Sequence, residues 1–492
     1  MHLGANFTIF NRPEMLDVLI IGAGLSGIGA ARHLQTQCPG KRWLIWEARS
    51  AIGGTWDIFR YPGVRSDSDM HTLGYAFKPW RGTQAMADGP SILQYIREAA
   101  EETEVTQHID FHHRVISADW STEHACWRVT AQLADGSKRT QETRFLYMCG
   151  GYYSYAQGHQ PYFDGQENFQ GALVYPQFWP EGLSYADKRV VVIGSGATAV
   201  TIVPAMAKDA AHVTMLQRSP SYVVTRPAQE TLGVWLDRFL PFDLGYRFVR
   251  WRNILQGIFY FQLARRKPQF FKQYLISMVK KALGRNYDVA THFTPRYSPW
   301  DQRVCAVPDG DLFKQIRKGS VSVVTGQIAR FEADGITLQD GSSLKADIVV
   351  VATGLQLNVL ADVAIQVDGK PYVAGDALAY KGMMLSGLPN VFVAFGYTNA
   401  SWTLKADLTA SYVCRLFRHM DKRGYRFVSP QHDPAQTTQA FLDFTSGYVQ
   451  RASAILPKQG AASPWRVHQN YVMDVLALRF GGFEDGVLRF QR

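Results

Sequence analysis

Glycines at 22, 24 and 27, and again at 194 and 196 with Ala197, Thr198 and Ala199 behind them, are the residues whose spacing first points to chemistry. Each set follows a short apolar run, Val18-Leu19-Ile20-Ile21 before the first and Val190-Val191-Val192-Ile193 before the second. The pattern is GxGxx(G/A) in a strand–turn–helix context. That geometry brings backbone close to a pyrophosphate and aims helix N-terminal amides at it. One such turn is weak evidence, because glycine also serves packing. Two of them, 172 residues apart, point to two dinucleotides held at once. The simplest chemistry for such a pair is hydride transfer from one to the other.

The flanking residues separate the two nucleotides. The first unit reads as a strand over 18–21, a helix from about 26 to 35 and a strand over 43–46. Glu47 closes that second strand, 20 residues past Gly27. An acid there accepts hydrogen bonds from a ribose 2′-hydroxyl and suits an adenosine without a 2′-phosphate, as in FAD. The plainer reading is a surface acid at a strand end. The second unit places its second strand at 212–216, followed by Gln217-Arg218-Ser219. Arg218 with a neighbouring hydroxyl, Ser219, is the arrangement expected for a 2′-phosphate, because guanidinium binds phosphate bidentately. The second site therefore reads as NADPH.

Stretches 110–120 and 127–133 predict an antiparallel insertion that runs into a strand over 145–149. A buried strand follows at 346–351, then a last strand at 389–396 and a closing helix over 402–419. The expected fold is α/β, with two Rossmann-like dinucleotide-binding domains and the second inserted in the first. Residues 15–155 and 345–492 form the FAD unit, 156–344 the NADPH unit, and 1–14 a disordered leader. Residues from about 230 to 285 mix many aromatics with arginines and lysines and predict a helical insertion. It reads as a packed helical subdomain, a substrate lid, or a basic interfacial surface that touches membranes.

Composition narrows the class. The chain has 492 residues, 46% hydrophobic and 19% charged, an ordinary globular balance. Its net charge of +10 suits phosphate-bearing cofactors or an anionic membrane surface. The basic residues form no compact run of the kind that binds nucleic acid. Five cysteines without CxxC spacing support neither a disulfide framework nor a zinc site, so no metal is expected and a reducing cytoplasm is the default compartment. No uninterrupted apolar stretch reaches about 18 residues, which argues against a spanning helix.

A more specific signal lies between the first two strands and the insertion. Residues Gly53-Gly54-Thr55-Trp56-Asp57-Ile58-Phe59-Arg60-Tyr61-Pro62-Gly63-Val64-Arg65-Ser66-Asp67 fill every fixed position of the pattern (A/G)GxWxxxx(F/Y)P(G/M)xxxD. This is the pattern of class B flavoprotein monooxygenases of the Baeyer–Villiger type, which the chain resembles from about Met15 to its end. Residues 60–75, 192–219, 298–311 and 380–407 resemble the ethionamide-activating subgroup in particular. The family fingerprint FxGxxxHxxxW(P/D) matches at Phe169, Gly171, Trp179 and Pro180, while Tyr175 stands in place of the histidine. In the family that histidine couples cofactor binding to domain movement. A phenol donates a hydrogen bond but has no cationic form near neutral pH.

The resemblance implies that Arg303 is the active-site arginine and that Asp67 sits against it and orients it. It also implies flavin contacts at Gly54, Thr55 and Trp56, and places Gln302 where relatives often carry a basic residue on the 2′-phosphate. The implied reaction is NADPH- and O2-dependent oxygen insertion through a C4a-peroxyflavin, into ketones or onto the sulfur of sulfides and thioamides. The Tyr175 replacement favours heteroatom oxidation. N-hydroxylation of amines is the nearer alternative. A non-catalytic flavoprotein or a membrane-surface binding protein is the alternative of another class.

Overall fold

A computed structural model describes residues 14–492 apart from 157, 237 and 434. The expected leader, 1–14, thus lies outside the described residues except for Glu14. The apolar run Leu16–Ile21 is the axis of a nine-stranded sheet. It pairs in parallel with Trp43–Trp46 on one side, Val18 opposite Trp43, and with Lys138–Met148 on the other, Ile21 opposite Met148. The strand Lys138–Met148 changes partner along its length. Residues 138–143 run antiparallel to Cys126–Gln132, and 146–148 also take Val391–Val393 in parallel on the same edge. Burial follows this division: the first three residues are exposed, the next four alternate, as in a sheet with one wet face, and the last four are buried on both faces.

Two expectations change here. Asp110 does not begin a strand running to Trp120. Ile109–Asp110 is a separate edge strand parallel to Trp43–Trp46, and the antiparallel strand starts at Arg114 after a turn in which His112 has a φ of +58°. The strand Ile348–Val351 does not belong with the first unit. It is hydrogen-bonded in parallel between Arg189–Ile193 and Ala172–Val174, so the chain returns to the first sheet after Val351 rather than at 345. A fully apolar run carries no mark of which sheet it joins. The second sheet thus has five parallel strands in the order Val321–Thr325, His212–Gln217, Arg189–Ile193, Ile348–Val351, Ala172–Val174.

Each central strand ends in its glycine turn and a helix, Leu25–Gln37 after the first and Ala197–Met206 after the second. A Cβ on Gly27 would lie 1.9 Å from the carbonyl oxygen of Gly22, so only glycine lets this helix sit so close to its turn. Gly194 has a φ of +140°, where a side chain is strained. The closing helix Trp402–Arg423 packs on Leu25–Gln37 and ends at Gly424 in left-handed conformation.

The insertion is helical as expected: Thr231–Leu236, Phe242–Arg266 and Pro268–Leu283. Pro268 starts a new helix because it has no N–H to continue the old one. The inner face of Phe242–Arg266 docks on the first unit. Arg250 donates to the carbonyls of His71 (2.5 Å) and Gly74 (2.8 Å), and the Tyr246 hydroxyl donates to the His71 carbonyl (3.0 Å). The packed-subdomain reading therefore describes this face.

Candidate active site

The glycine–tryptophan motif is fixed at its start by charge. Asp57, buried, pairs with Arg49 (2.5 Å), Arg97 (3.3 Å) and Arg60 (3.6 Å). Gly54, with a φ of +54°, starts the short helix Thr55–Ile58, and its Cβ position would crowd Gly24 Cα at 3.3 Å. Two backbone turns therefore face each other without side chains between them. The chain then crosses toward the second sheet, where Arg65 forms a 2.7 Å ion pair with Asp311. Two residues on, Asp67 reaches Arg303, with Oδ2 3.4 Å from Nε.

Arg303 comes from the opposite unit on a loop that is tied down at several points. Trp300 holds a φ of +69°, a costly conformation for a bulky residue. Asp301 accepts from the Ser298 amide (3.0 Å) and from Arg265 of the long insertion helix (3.1 Å), and its carbonyl accepts the Thr445 amide (2.8 Å). Asp67 raises the pKa of Arg303 against the opposing effect of burial, so the guanidinium stays charged. Its side chain keeps 34% exposure, open to the cleft.

That cleft has a volume of about 260 Å³ and is lined by backbone and side chains of both units. Gly24, Gly54, Thr55, Trp56, Asp67, Ala197, Thr198 and Arg303 all face it, so the structure brings these sequence-derived candidates together. A second cavity of about 340 Å³ meets the first at Asp67, Ser68, Arg303, Ala306, Tyr397 and Ala400. Its far wall is the insertion, through residues such as Ile254, Gly257, Ile258 and Leu275. The ion pair thus stands where the two cavities join.

Other candidates lie outside the cleft lining. Glu47 is 5% exposed and accepts from the amides of Ala23 (2.7 Å) and Arg49 (2.9 Å), so it braces the first turn. Gly22, Gly27, Gly194 and Gly196 shape the turns without lining the cleft. Arg218 and Ser219 are exposed beyond the second turn, and Ser195 Oγ donates to the Ser219 carbonyl at 3.0 Å. Gln302 is half-buried on the Arg303 loop and faces neither cavity.

The fingerprint runs along the edge of the second sheet. Phe169 stacks edge-on against Phe331, and a Cβ on Gly171 would lie 2.4 Å from the Asp347 carbonyl. Tyr175 is half-buried in a crevice with His159, and burial pushes its pKa up. Trp179 and Pro180 border a separate cleft beside Arg49 and Arg60.

Two cleft residues, Tyr152 and Tyr153, escape the sequence reading, whereas Trp402 lies in the segment 380–407 marked by resemblance. Tyr152 and Tyr153 share a hydroxyl–hydroxyl bond of 2.7 Å, and burial pushes Tyr152 up to about 12, so both stay neutral. Tyr152 stacks on Trp402 at 4.9 Å, and Trp402 Nε1 donates to Ser26 Oγ at 2.8 Å, joining the closing helix to the first turn.

Comparison with known proteins bears on the same region. A family model described as flavin-binding monooxygenase-like matches residues 84–383, and one for an NAD(P)-binding Rossmann-like domain matches 20–86. The chain is 49% identical over 481 residues to the FAD-containing monooxygenase EthA of Mycobacterium tuberculosis, covering 97% of this chain and 98% of that one. It is 46% identical over 482 residues to the probable FAD-binding monooxygenase AlmA of Acinetobacter baylyi, covering 97% and 96%. The open crystal structure of cyclohexanone monooxygenase shares the fold, with a TM-score of 0.77, 19% identity and coverage of 97% and 100%.

Proposed function

The chain belongs to the flavin-binding monooxygenase-like family, and on that premise we propose that it uses FAD, NADPH and O2 to place one oxygen atom on a small molecule. The proposed substrates are ketones, which would give esters or lactones, and sulfides or thioamides, oxidised at sulfur. The observation that carries this reading is the Arg303–Asp67 pair at the junction of two cavities. One cavity has the walls expected for a dinucleotide and the other those of an apolar small-molecule pocket.

The residues present fit the two nucleotides. Both glycine-turn helices begin at a glycine with no side chain capping the first amides, whereas the helix Gly89–Glu102 is capped by Asp88. Those amides are left for phosphate oxygens. When bound, the flavin supplies the activation of O2 with electrons taken from the nicotinamide.

The protein's part is binding, charge placement and exclusion of water. Arg303 holds a fixed positive charge where negative charge develops during oxygen transfer, and Asp67 fixes its orientation. Tyr152, Tyr153 and Trp402 cover the cleft with neutral aromatic surface, which keeps out water and stray protons. Arg218 and Ser219 hold the 2′-phosphate, and Glu47, with lone pairs beyond its two backbone bonds, takes a ribose hydroxyl. Reaction under 18O2 with NADPH and a panel of 2-alkanones and aryl methyl sulfides tests this directly. One labelled atom in the product is expected; NADPH oxidation that yields only hydrogen peroxide with every member would refute it.

Two variants probe the finer assignments. Arg218→Ala should raise KM for NADPH by about ten- to a hundredfold and leave NADH kinetics unchanged, as for loss of a charged hydrogen bond. Equal steady-state efficiency of the native protein with both cofactors would overturn the NADPH assignment. Tyr175→His should raise the ratio of oxygenated product to NADPH consumed. An unchanged ratio would mean that coupling here does not depend on that position.

A further inference from the structure

The outer face of the insertion has no role in the cleft, and its chemistry is unusual for a surface. Along Phe242–Arg266, Leu244, Phe248, Trp251, Leu255 and Phe259 are exposed apolar residues on one face, and Tyr260 is exposed off that face. Spacings of four, three, four and four place the five in one stripe, about 22 Å long at 1.5 Å per residue. Phe270 and Tyr274 of Pro268–Leu283 add to it, and three of these phenylalanines are more than half exposed. Isolated surface apolar residues are ordinary, but a continuous aromatic stripe marks an interaction surface.

Charge and position indicate what covers it. Arg247 flanks the stripe, Arg266 lies in line with it at the helix end, Lys267 follows, and all three are exposed. Aromatic rings bordered by cations suit the interface of an anionic bilayer, where rings sit at headgroup level and cations meet lipid phosphates. The same helices wall the second cavity from inside. Tyr260 and Tyr274 belong both to that wall and to the exposed surface, 40% and 43% exposed. Tyr274 thus links the cavity wall to the stripe. Among the described residues no helix is long and apolar enough to cross a membrane, so contact would be peripheral.

We propose that the outer face of these insertion helices rests on an anionic lipid surface, with the mouth of the second cavity turned toward the bilayer. Docking of this kind stands apart from the reaction; only the delivery of an apolar substrate through the mouth rests on the monooxygenase reading. Flotation of the FAD-loaded full chain with vesicles reads docking without turnover, so the two fail separately.

The protein should float with phosphatidylcholine–phosphatidylglycerol vesicles, weakly with phosphatidylcholine alone, and less as salt is raised. Leu255→Glu/Phe259→Glu should lower vesicle partitioning by at least about tenfold, since it removes buried apolar area and adds repulsion. Flavin absorbance and NADPH oxidation should persist in that variant. Arg266→Glu/Lys267→Glu should abolish the preference for anionic vesicles while leaving the aromatic stripe intact. Failure of the native protein to float, or equal flotation of the variants, would overturn the proposal. So would a native dimer that the substitutions convert to monomer without change in vesicle binding, which would assign the stripe to a second copy.

Discussion

Arg303→Ala should keep its flavin and continue to oxidise NADPH, while oxygenated product falls by about two to three orders of magnitude, the cost of removing one preorganised donor to a developing anion. The electrons should appear as hydrogen peroxide. Folding should survive, because the Asp67 left behind has 29% of its side chain exposed and water can solvate it. Arg303→Lys should recover part of the loss. It restores charge on a flexible point donor but not the planar fork that Asp67 orients. Product formation by Arg303→Ala at the native rate would remove the guanidinium from the reaction.

Lys405→Met should be the most destabilising single change near the cleft. Lys405 and Asp474 are each 4% exposed at the side chain and form a 2.8 Å pair, and the Tyr397 hydroxyl donates to the same carboxylate oxygen at 2.5 Å. Deleting the ammonium leaves a buried carboxylate with one neutral donor, a loss of about 3–5 kcal/mol by analogy with broken buried pairs. Tyr397 lines both cavities, so substrate binding should weaken along with stability. Adding Asp474→Asn should restore most of the stability, since an amide keeps the tyrosine bond without a charge. Chemical denaturation of the two variants and the native protein checks this. A single-variant loss below about 1 kcal/mol, the scale of exposed pairs, would mean that water reaches the pair.

The contrast between these sites shows what the sequence could and could not carry. The glycine turns were legible because their demands are local: Gly27 must lack a Cβ and Gly194 must take a positive φ, whatever the distant chain does. Glu47 and Arg218 follow from register, one strand length past each turn, and register is also local. Arg303 is different. Nothing in its own neighbourhood distinguishes it from other arginines, and it entered through resemblance of the surrounding motif. Tyr152 and Tyr153 reach the cleft only through the tertiary path of the chain between the two units. Ile348–Val351 joins a different unit from the one its sequence position suggests for the same reason, since strand character fixes burial but not neighbours. The insertion's composition predicts helices, yet its two-sided character, a docked inner face and an aromatic outer one, depends on which residues the fold covers.

The most direct test of the central claim needs no substrate. Reduced, FAD-loaded protein with NADP+ is mixed with oxygenated buffer, and the return of oxidised-flavin absorbance is followed by stopped flow. A charged Arg303 oriented by Asp67 in a cleft closed to water predicts a delayed return in the native protein, at least about tenfold slower than in Arg303→Ala. Immediate single-phase return in both proteins would contradict it.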